Sequence, residues 1–260
     1  MLHPQRKMAA PADPWAALAR FTRAPIALGR AGSSWRTETL LSFRLAHAQA
    51  RDAVNRPFDA GFLEQQLREL GCETARLSTE ANSRAVFLTR PDLGRKLSEE
   101  SRRFLQREAA AWKGRHLAVL VSDGLSSLAA ETQAAPVLAK LLPLLAQAGW
   151  TICPVFIVPF ARVKLQDEIG ALLGVPLALA LLGERPGLGS PDSLGAYFTY
   201  EPGLDKTDAD RNCVSNIRSE GLPPGEAAVK LARLLLRSEE QRCSGIRLKE
   251  AAPPAQARIY

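Results

Sequence analysis

A carboxylate and three glycines follow the most apolar run of the chain. Residues 177–182 are all aliphatic, and residues 183–189 read GERPGLG. An aliphatic run that stops abruptly at a glycine is typical of a buried strand in an α/β sheet. Ligands of such sheets bind just beyond the carboxyl ends of the strands. The segment therefore predicts a ligand-facing turn in which Glu184 and nearby backbone groups approach the ligand.

Two other predicted strands also end in polar or glycine-containing turns. Residues 122–124 (SDG) and 160–163 (FARV) each follow an apolar run. Because parallel strands end at one edge of a sheet, we predict that the three turns meet in one crevice. The alternative is a set of ordinary strand-to-helix turns, in which Asp123 caps a helix and Glu184 pairs with a neighbouring arginine.

The familiar catalytic and phosphate-binding signatures do not occur in the sequence. GxGxxG, Walker A, GxSxG and HExxH are all missing. The four cysteines are widely spaced, which disfavours a zinc site or a disulfide framework and favours reduced thiols in the cytosol. Ser122, Asp123 and His116 are not expected to form a triad, because His116 precedes the strand that ends at Ser122.

Short polar side chains fill residues 207–217, which read TDADRNCVSNI. Such side chains bond to nearby backbone and hold irregular loops in a fixed shape, so we expect an ordered loop beside the ligand edge. Cys213 lies in this segment without a neighbouring lysine or histidine. We interpret it as a small, soft apolar residue rather than a nucleophile.

The chain is basic, with 34 lysines and arginines against 27 acidic residues. Basic and acidic residues alternate through residues 90–115, and tyrosines and phenylalanines are not clustered there as stacking platforms for bases. We therefore interpret most of the charge as solvated helix faces, with an acidic protein partner as the next candidate. No apolar stretch approaches ~18 residues, so no membrane span is expected.

The elements around these turns predict an α/β fold. Strands and helices alternate through residues 114–245, which is the pattern of a doubly wound sheet. We expect a Rossmann-like parallel sheet with flanking helices. The helices are predicted at 125–148, 167–173 and 223–236. Pro136 and Pro143 must start, kink or divide the first of them.

A smaller, mostly helical region is predicted at residues 15–113. Its helices are expected at 36–54, 62–70 and 98–111. Ser98 is a suitable N-cap for the last of them because glutamates occupy the next two positions. Residues 1–14 and 246–260 contain prolines and are predicted to be flexible tails.

Nine short motifs, in a fixed order, connect these turns to a known family. They are GRAG at 29–32, LTRPDLGR at 88–95, SDGLS at 122–126, RVK at 162–164, DEIG at 167–170, GERPGL at 183–188, ADR at 209–211, SNI at 215–217 and PP at 223–224. With them the chain resembles the light (small) subunit of ethanolamine ammonia-lyase, an adenosylcobalamin-dependent enzyme, over residues 27–236.

The resemblance implies a non-catalytic, cofactor-binding subunit. In that family a TIM-barrel heavy subunit binds ethanolamine and converts it to acetaldehyde and ammonia by radical chemistry, and the cobalamin is clamped between the two subunits. The cofactor contacts carried over by motif are Val163, Glu184 and Cys213, and no catalytic or metal-binding residue is expected here. The implied partner is the heavy subunit, within a larger hetero-oligomer. The implied location is the cytoplasm or a bacterial microcompartment, with no nucleic acid or membrane partner.

Two stretches depart from the family's pattern. Residues 159–161 (PFA) stand where a basic residue, an aromatic and a glycine are usual, and residues 218–220 (RSE) stand where a histidine and glycines are usual. The first departure lies beside Val163 and leaves an alternative open, namely an assembly module that kept the fold and lost the cofactor. A third class, an independent nucleotide-binding enzyme, is disfavoured by the missing phosphate-binding motifs.

Overall fold

A six-stranded sheet organises the computed structural model, which describes residues 15–21, 26 and 29–248. Strands β1–β8 span Arg30–Ala31, Ser34–Trp35, Thr74–Arg76, Leu117–Ser122, Ile152–Ile157, Leu177–Gly183, Leu194–Tyr200 and Arg211–Ile217. Helices α1–α7 span Thr37–Asn55, Ala60–Glu69, Arg84–Thr89, Glu99–Glu108, Ser127–Gln147, Leu165–Leu173 and Pro224–Gln241. The strand order of the sheet is β3-β5-β4-β6-β7-β8, and β1 and β2 form a separate antiparallel pair.

The sheet is parallel through its first four strands and antiparallel at β7 and β8. Every residue of β4 and β6 is buried, as expected for parallel strands covered on both faces. This arrangement confirms the predicted α/β class. The reversal at β7 follows from the connection formed by residues 184–193, because a parallel crossover needs about a dozen residues or more and usually a helix.

Helices cover both faces of the sheet. On one face α2, α5 and α7 pack over the strands, with Leu138 and Leu231 fully buried in one apolar cluster. On the other face α4 and α6 do the same, with Leu105 and Ile169 in a second cluster. Burial on this scale is what stabilises the fold, at about 25 cal/mol for each Å² of apolar surface removed from water.

Local signals set the ends of several helices as predicted. The Ser98 hydroxyl accepts the Ser101 amide at the start of α4, and Gly174 ends α6 in a left-handed conformation with φ of 63°. Helix α5 is capped by Ser126, so Asp123 does not have the capping role that the alternative assigned to it. Helix α5 also runs on through its two prolines, which therefore neither start nor divide it.

Two parts of the fold differ from the sequence-based prediction. Residues 207–217 are not an irregular loop: a 3-10 turn at Asp208–Asp210 leads directly into β8. Pairing with β7 satisfies this backbone, and burial of Val214 and Ile217 overrides the weak strand preference of the polar residues. The edge strand β3 comes from the region predicted to be mostly helical, and it pairs with β5.

The two predicted tails lie mostly outside the residues that the structure describes. The predicted tail at 1–14 lies outside them, as do residues 249–260 of the second predicted tail. Within the described part, Gly245–Arg247 form a 3-10 turn and Leu248 is buried. None of the described helices is long and apolar enough to cross a membrane.

Candidate functional site

A cleft of about 360 Å³ lies at the carboxyl edge of β4, β5 and β6. Its lining residues are Phe87, Gly124, Leu125, Ala161, Arg162, Val163, Leu182, Gly183, Glu184, Arg185 and Tyr197. Each of the three turns that follow these strands contributes residues to this lining. The structure thus confirms the prediction that they meet in one crevice, and it brings Val163 and Glu184 into the same cleft.

Two glycines allow the turns after β4 and β6 to touch through their backbones. The Leu125 amide donates to the Gly183 carbonyl at 2.8 Å. A Cβ at Gly183 would lie 2.0 Å from the Ser126 carbonyl oxygen, and a Cβ at Gly124 would lie 2.4 Å from the Gly183 carbonyl oxygen. Both distances are far below any real contact, so this wall of the cleft requires glycine at both positions.

The turn after β5 is held to β4 by side-chain hydrogen bonds. The Phe160 amide donates to Asp123 Oδ1 at 2.7 Å, and the Ala161 amide donates to Ser122 Oγ at 3.0 Å. Phe160 adopts a left-handed φ of 60°, whereas Ala161 does not lie in that region. An alanine therefore fits where the family usually has glycine, and the departure at 159–161 leaves the turn before Val163 firmly anchored.

Asp123 is buried and serves as a structural anchor. Its Oδ2 accepts from Arg84 Nη1 at 3.0 Å, and the same Arg84 nitrogen donates to the Gly124 carbonyl at 2.6 Å. Burial raises the pKa of Asp123, while the Phe160 amide and the Arg84 charge oppose that rise. Arg84 also donates from Nε to the Val54 carbonyl at 2.7 Å, so it joins α1 to the floor of the site.

Positive charge gathers on one side of the cleft. The Arg162 guanidinium lies over the Phe87 ring, 4.1 Å from its centroid, and donates to the Phe87 carbonyl at 3.1 Å. Burial lowers the pKa of Arg162, and the nearby charges of Arg95, Arg84 and Arg185 lower it further. An arginine stays protonated despite such shifts, so this side of the cleft attracts anionic or strongly polar groups.

Val163 occupies the first position after this arginine, where the chain turns into α6. The residue is half-buried and packs against the apolar cluster under α6, so its remaining surface faces the cleft. Its carbonyl accepts the Gln166 amide at 3.3 Å. Position and burial suit Val163 to apolar contact with a ligand.

The Glu184 carboxylate is fixed by two hydrogen-bond donors. Its Oε2 accepts from Ser193 Oγ at 2.6 Å and from the Asn216 amide at 3.2 Å. The Glu184 amide also donates to the Ser193 carbonyl at 2.9 Å. These partners are not the arginines that the alternative reading assigned to Glu184. Both of these donors bind Oε2.

A β-bulge supplies the Asn216 amide. Leu194 pairs with Ile217 and Ala196 pairs with Val214, so the two residues 215–216 stand opposite Gly195 alone. The extra residue bends β8 and frees one amide from the ladder, as bulges beside functional sites commonly do. Asn216 itself adopts a left-handed φ of 57°, which asparagine tolerates better than most residues.

Cys213 lies one strand farther from the cleft than the other two predicted contacts. It pairs with Tyr197 in the β7–β8 ladder, and the two side chains hydrogen-bond. Tyr197 lines the cleft, whereas Cys213 is not among the lining residues. Shielding by the surrounding protein raises the pKa of the Cys213 thiol to about 11, and the Glu184 charge acts in the same direction. The thiol is therefore protonated near neutral pH and is not an activated nucleophile.

Several residues of the site carry no recognisable signal in the sequence. Arg84, Phe87 and Tyr197 belong to elements whose place in the sheet edge depends on long-range packing. Gly195 is the exception, because a glycine inside a strand commonly marks a bulge or a close approach. That signal could have located the bulge before the structure was known.

A larger groove, of about 460 Å³, lies at the opposite edge of the sheet. It is bounded by Cys72 and Glu73 before β3, by the start of β5, and by Leu138 and Leu142 of α5. None of the predicted contact residues lines it. Ligands of α/β sheets bind at the carboxyl ends of the strands, so the smaller cleft is the candidate site despite its size.

Comparison with known proteins agrees with the resemblance. A family model described as ethanolamine ammonia-lyase light chain (EutC) matches residues 12–249. The ethanolamine ammonia-lyase small subunit of Pseudomonas syringae pv. tomato is 50% identical over 245 residues, which cover 94% of this chain and 85% of the relative. Those of Pseudomonas fluorescens Pf-5 and Ralstonia nicotianae are each 48% identical over 241 residues, covering 92% of this chain and 88% and 89% of the relatives. The chain belongs to the ethanolamine ammonia-lyase small-subunit family.

Proposed function

We propose that the chain binds adenosylcobalamin in the cleft and clamps it against the heavy subunit of an ethanolamine ammonia-lyase. In this complex ethanolamine is converted to acetaldehyde and ammonia. Val163, Glu184 and Cys213 are the proposed cofactor contacts of this chain. The observation that carries the proposal is the joint presence of Val163 and Glu184 in one cleft at the sheet's carboxyl edge.

The shape of the cleft fits one face of a large cofactor. A pocket of several hundred cubic ångström encloses most of a drug-sized ligand. Adenosylcobalamin is far larger than that, so an open cleft of about 360 Å³ can cover only part of it. The part of the cofactor outside the cleft is then free to contact a second protein surface, which supports a cofactor held between two subunits.

The chemistry of the lining also fits a corrinoid. The corrin ring is mostly apolar and carries amides around its rim. Leu125, Leu182 and Val163 offer apolar surface, and each well-covered methylene contributes about 0.8 kcal/mol. The Glu184 carboxylate can accept from a rim amide, and a hydrogen bond to a charged group contributes about 1.5–3 kcal/mol.

The position of Cys213 suits a packing contact with the cofactor rather than the role of a nucleophile. It is an exposed residue that pairs with Tyr197 across the β7–β8 ladder, with a thiol pKa of about 11. We propose that Cys213 contacts the cofactor by packing and by its backbone. When bound, adenosylcobalamin supplies the radical chemistry, and this chain binds and orients it.

A non-catalytic role agrees with the titratable groups of the cleft. In the described part of the chain these groups are Glu184, Tyr197 and two arginines. Burial raises the pKa of Tyr197, and Glu184 is engaged by two donors. We propose that this chain binds and orients the cofactor and that the chemical step takes place on the heavy subunit.

An exposed apolar surface near the N-terminus supports a protein partner. Leu41 and Leu45 stand one turn apart on α1 and are 59% and 61% exposed, and the nearby Trp35 is 44% exposed. Clustered apolar side chains on a surface commonly mark a protein interface. We propose that this surface is covered in the hetero-oligomer. The proposed location in the cytoplasm or a bacterial microcompartment rests on the resemblance alone.

The proposal is tested by co-expression with the heavy subunit of an ethanolamine ammonia-lyase. Co-purification, cobalamin retention after gel filtration, and ethanolamine-dependent acetaldehyde formation are the expected results. A complex that assembles without retaining cobalamin would establish the cofactor-less assembly module instead. Absence of a complex would refute both.

Matched variants then test the site itself. Glu184→Ala is expected to weaken cobalamin binding about tenfold or more while leaving assembly intact, because a charged hydrogen bond is lost. Glu226→Ala, at an exposed position of α7, is the control and should bind as the parent does. An unchanged affinity in the Glu184 variant would remove that residue from the site.

A further inference from the structure

Arg218, just beyond β8, contacts the two segments whose donors bind the Glu184 carboxylate. Its Nε donates to Asn216 Oδ1 at 3.0 Å, and its Nη1 donates to the Gly189 carbonyl at 3.1 Å. The Nη1 atom also lies 3.6 Å from Asp192 Oδ1. One guanidinium therefore joins the bulge of β8 to the loop formed by residues 184–193.

These contacts lie next to both donors that hold the Glu184 carboxylate. Asn216 supplies one donor, the backbone amide, and its side chain is bound by Arg218. Ser193 supplies the other, and it directly follows Asp192, which faces the same guanidinium. Arg218 therefore bridges the two segments that carry these donors.

The environment of Arg218 suits a fixed rather than a mobile side chain. The residue is only 9% exposed, and two carboxylates, of Asp192 and Glu220, lie within 4 Å of its charge. Its rigid planar fork donates to two acceptors in fixed directions, a geometry that a lysine ammonium cannot reproduce. Asn216 is further restrained, because its carbonyl accepts the Leu222 amide at 2.8 Å.

We propose that Arg218 is a positioning residue for cofactor binding, which acts by fixing the Ser193–Asn216 spacing and hence the orientation of the Glu184 carboxylate. This inference rests on the proposed role of Glu184 as a cobalamin contact. Arg218 does not line the cleft, so its effect on binding is expected to pass through Glu184.

A double-mutant cycle in the co-expressed heavy–light complex tests this dependence. Arg218→Met is expected to raise the Kd for adenosylcobalamin about three- to tenfold when Glu184 is present. In the Glu184→Ala background the same change is expected to have no further effect. Arg218→Lys should fall between the parent and Arg218→Met, and Arg233→Met, at an exposed site on α7, is the matched control.

Two further measurements keep the result interpretable. Asn216→Gly accepts the left-handed φ and keeps the amide, but it removes the Arg218 acceptor, so it should reproduce part of the Arg218→Met loss without adding to it. Hydrogen exchange of the cofactor-free complex should show faster exchange of the Asn216 amide in Arg218→Met than in the parent.

The outcomes separate the inference from the function on which it rests. If Glu184→Ala binds cobalamin as the parent does, the proposed contact fails, whatever Arg218 does. If Glu184→Ala weakens binding but the Arg218 loss simply adds to it, Arg218 does not act through Glu184 and the inference is overturned. Unchanged exchange at Asn216 in Arg218→Met overturns it as well.

Discussion

The α-carbon of Gly195 lies directly against the carboxylate of Glu184. A Cβ at this position would stand 2.8 Å from Glu184 Oε1 and 2.8 Å from Cε2 of Tyr197. Gly195 is also the residue opposite the β8 bulge. Because Gly195 has no side chain, the Glu184 carboxylate fits beside the bulge and can accept the Asn216 amide.

Gly195→Ala is expected to displace the Glu184 carboxylate and to raise the Kd for adenosylcobalamin about tenfold, because a hydrogen bond to a charged group is lost. Cobalamin titration of the heavy–light complex measures the change. Gly225→Ala is the matched control, since a Cβ there meets nothing within 4 Å. Equal affinities for the two variants would contradict the close approach.

The contact between Gly183 and the turn after β4 predicts a loss of stability. A Cβ at Gly183 would lie 2.0 Å from the Ser126 carbonyl oxygen, and the backbone on both sides must shift to admit it. We expect Gly183→Ala to lower the free energy of unfolding by about 1–3 kcal/mol or more. Urea unfolding of the complex measures this, and a variant as stable as Gly225→Ala would show that the turns do not touch.

Removal of Arg84 should leave a buried carboxylate without its ionic partner. We expect Arg84→Met to destabilise the fold by about 3–5 kcal/mol. Asp123→Asn in the same background should recover part of that loss, because no buried charge is then left uncompensated. Urea unfolding of the two single variants and the double variant gives the coupling, and strict additivity would contradict the ion pair.

The same variant has a predicted pH dependence. Burial already raises the pKa of Asp123 above 3.8, and loss of the Arg84 charge raises it further. A carboxyl with a raised folded-state pKa binds its proton more tightly in the folded protein, so stability falls as pH rises through that pKa. The stability gap between Arg84→Met and the parent should therefore widen from acidic to neutral pH. A constant gap would show that Asp123 is not responsible.

Cys213 should react slowly with alkylating reagents near neutral pH. With a thiol pKa of about 11, only about one molecule in a thousand carries the thiolate at about pH 8. The labelling rate with iodoacetamide should rise about tenfold for each pH unit above that. Mass spectrometry assigns the site, with Cys213→Ser as the blank. A rate independent of pH between about 7 and 9 would mean an activated thiolate.

The sequence by itself determined the layers of the fold and the edge where the site forms. The continuous aliphatic runs of β4 and β6 are explained only by burial on both faces of the sheet. The turn residues that directly follow each run mark where the strand ends. The ordered motifs then placed Val163 and Glu184 at that edge. These are local signals, which depend on neighbouring residues.

Tertiary structure alone decided how the site is held. Glu184 and Asn216 are 32 residues apart, and Arg84 and Asp123 are 39 residues apart, so no local pattern links either pair. Strand β8 forms only because β7 offers a partner, and its bulge follows from the register between them. Pairing of strands and compensation of buried charge are settled between distant segments, and for this reason the sequence predicts a loop at Cys213 where the structure has strand β8.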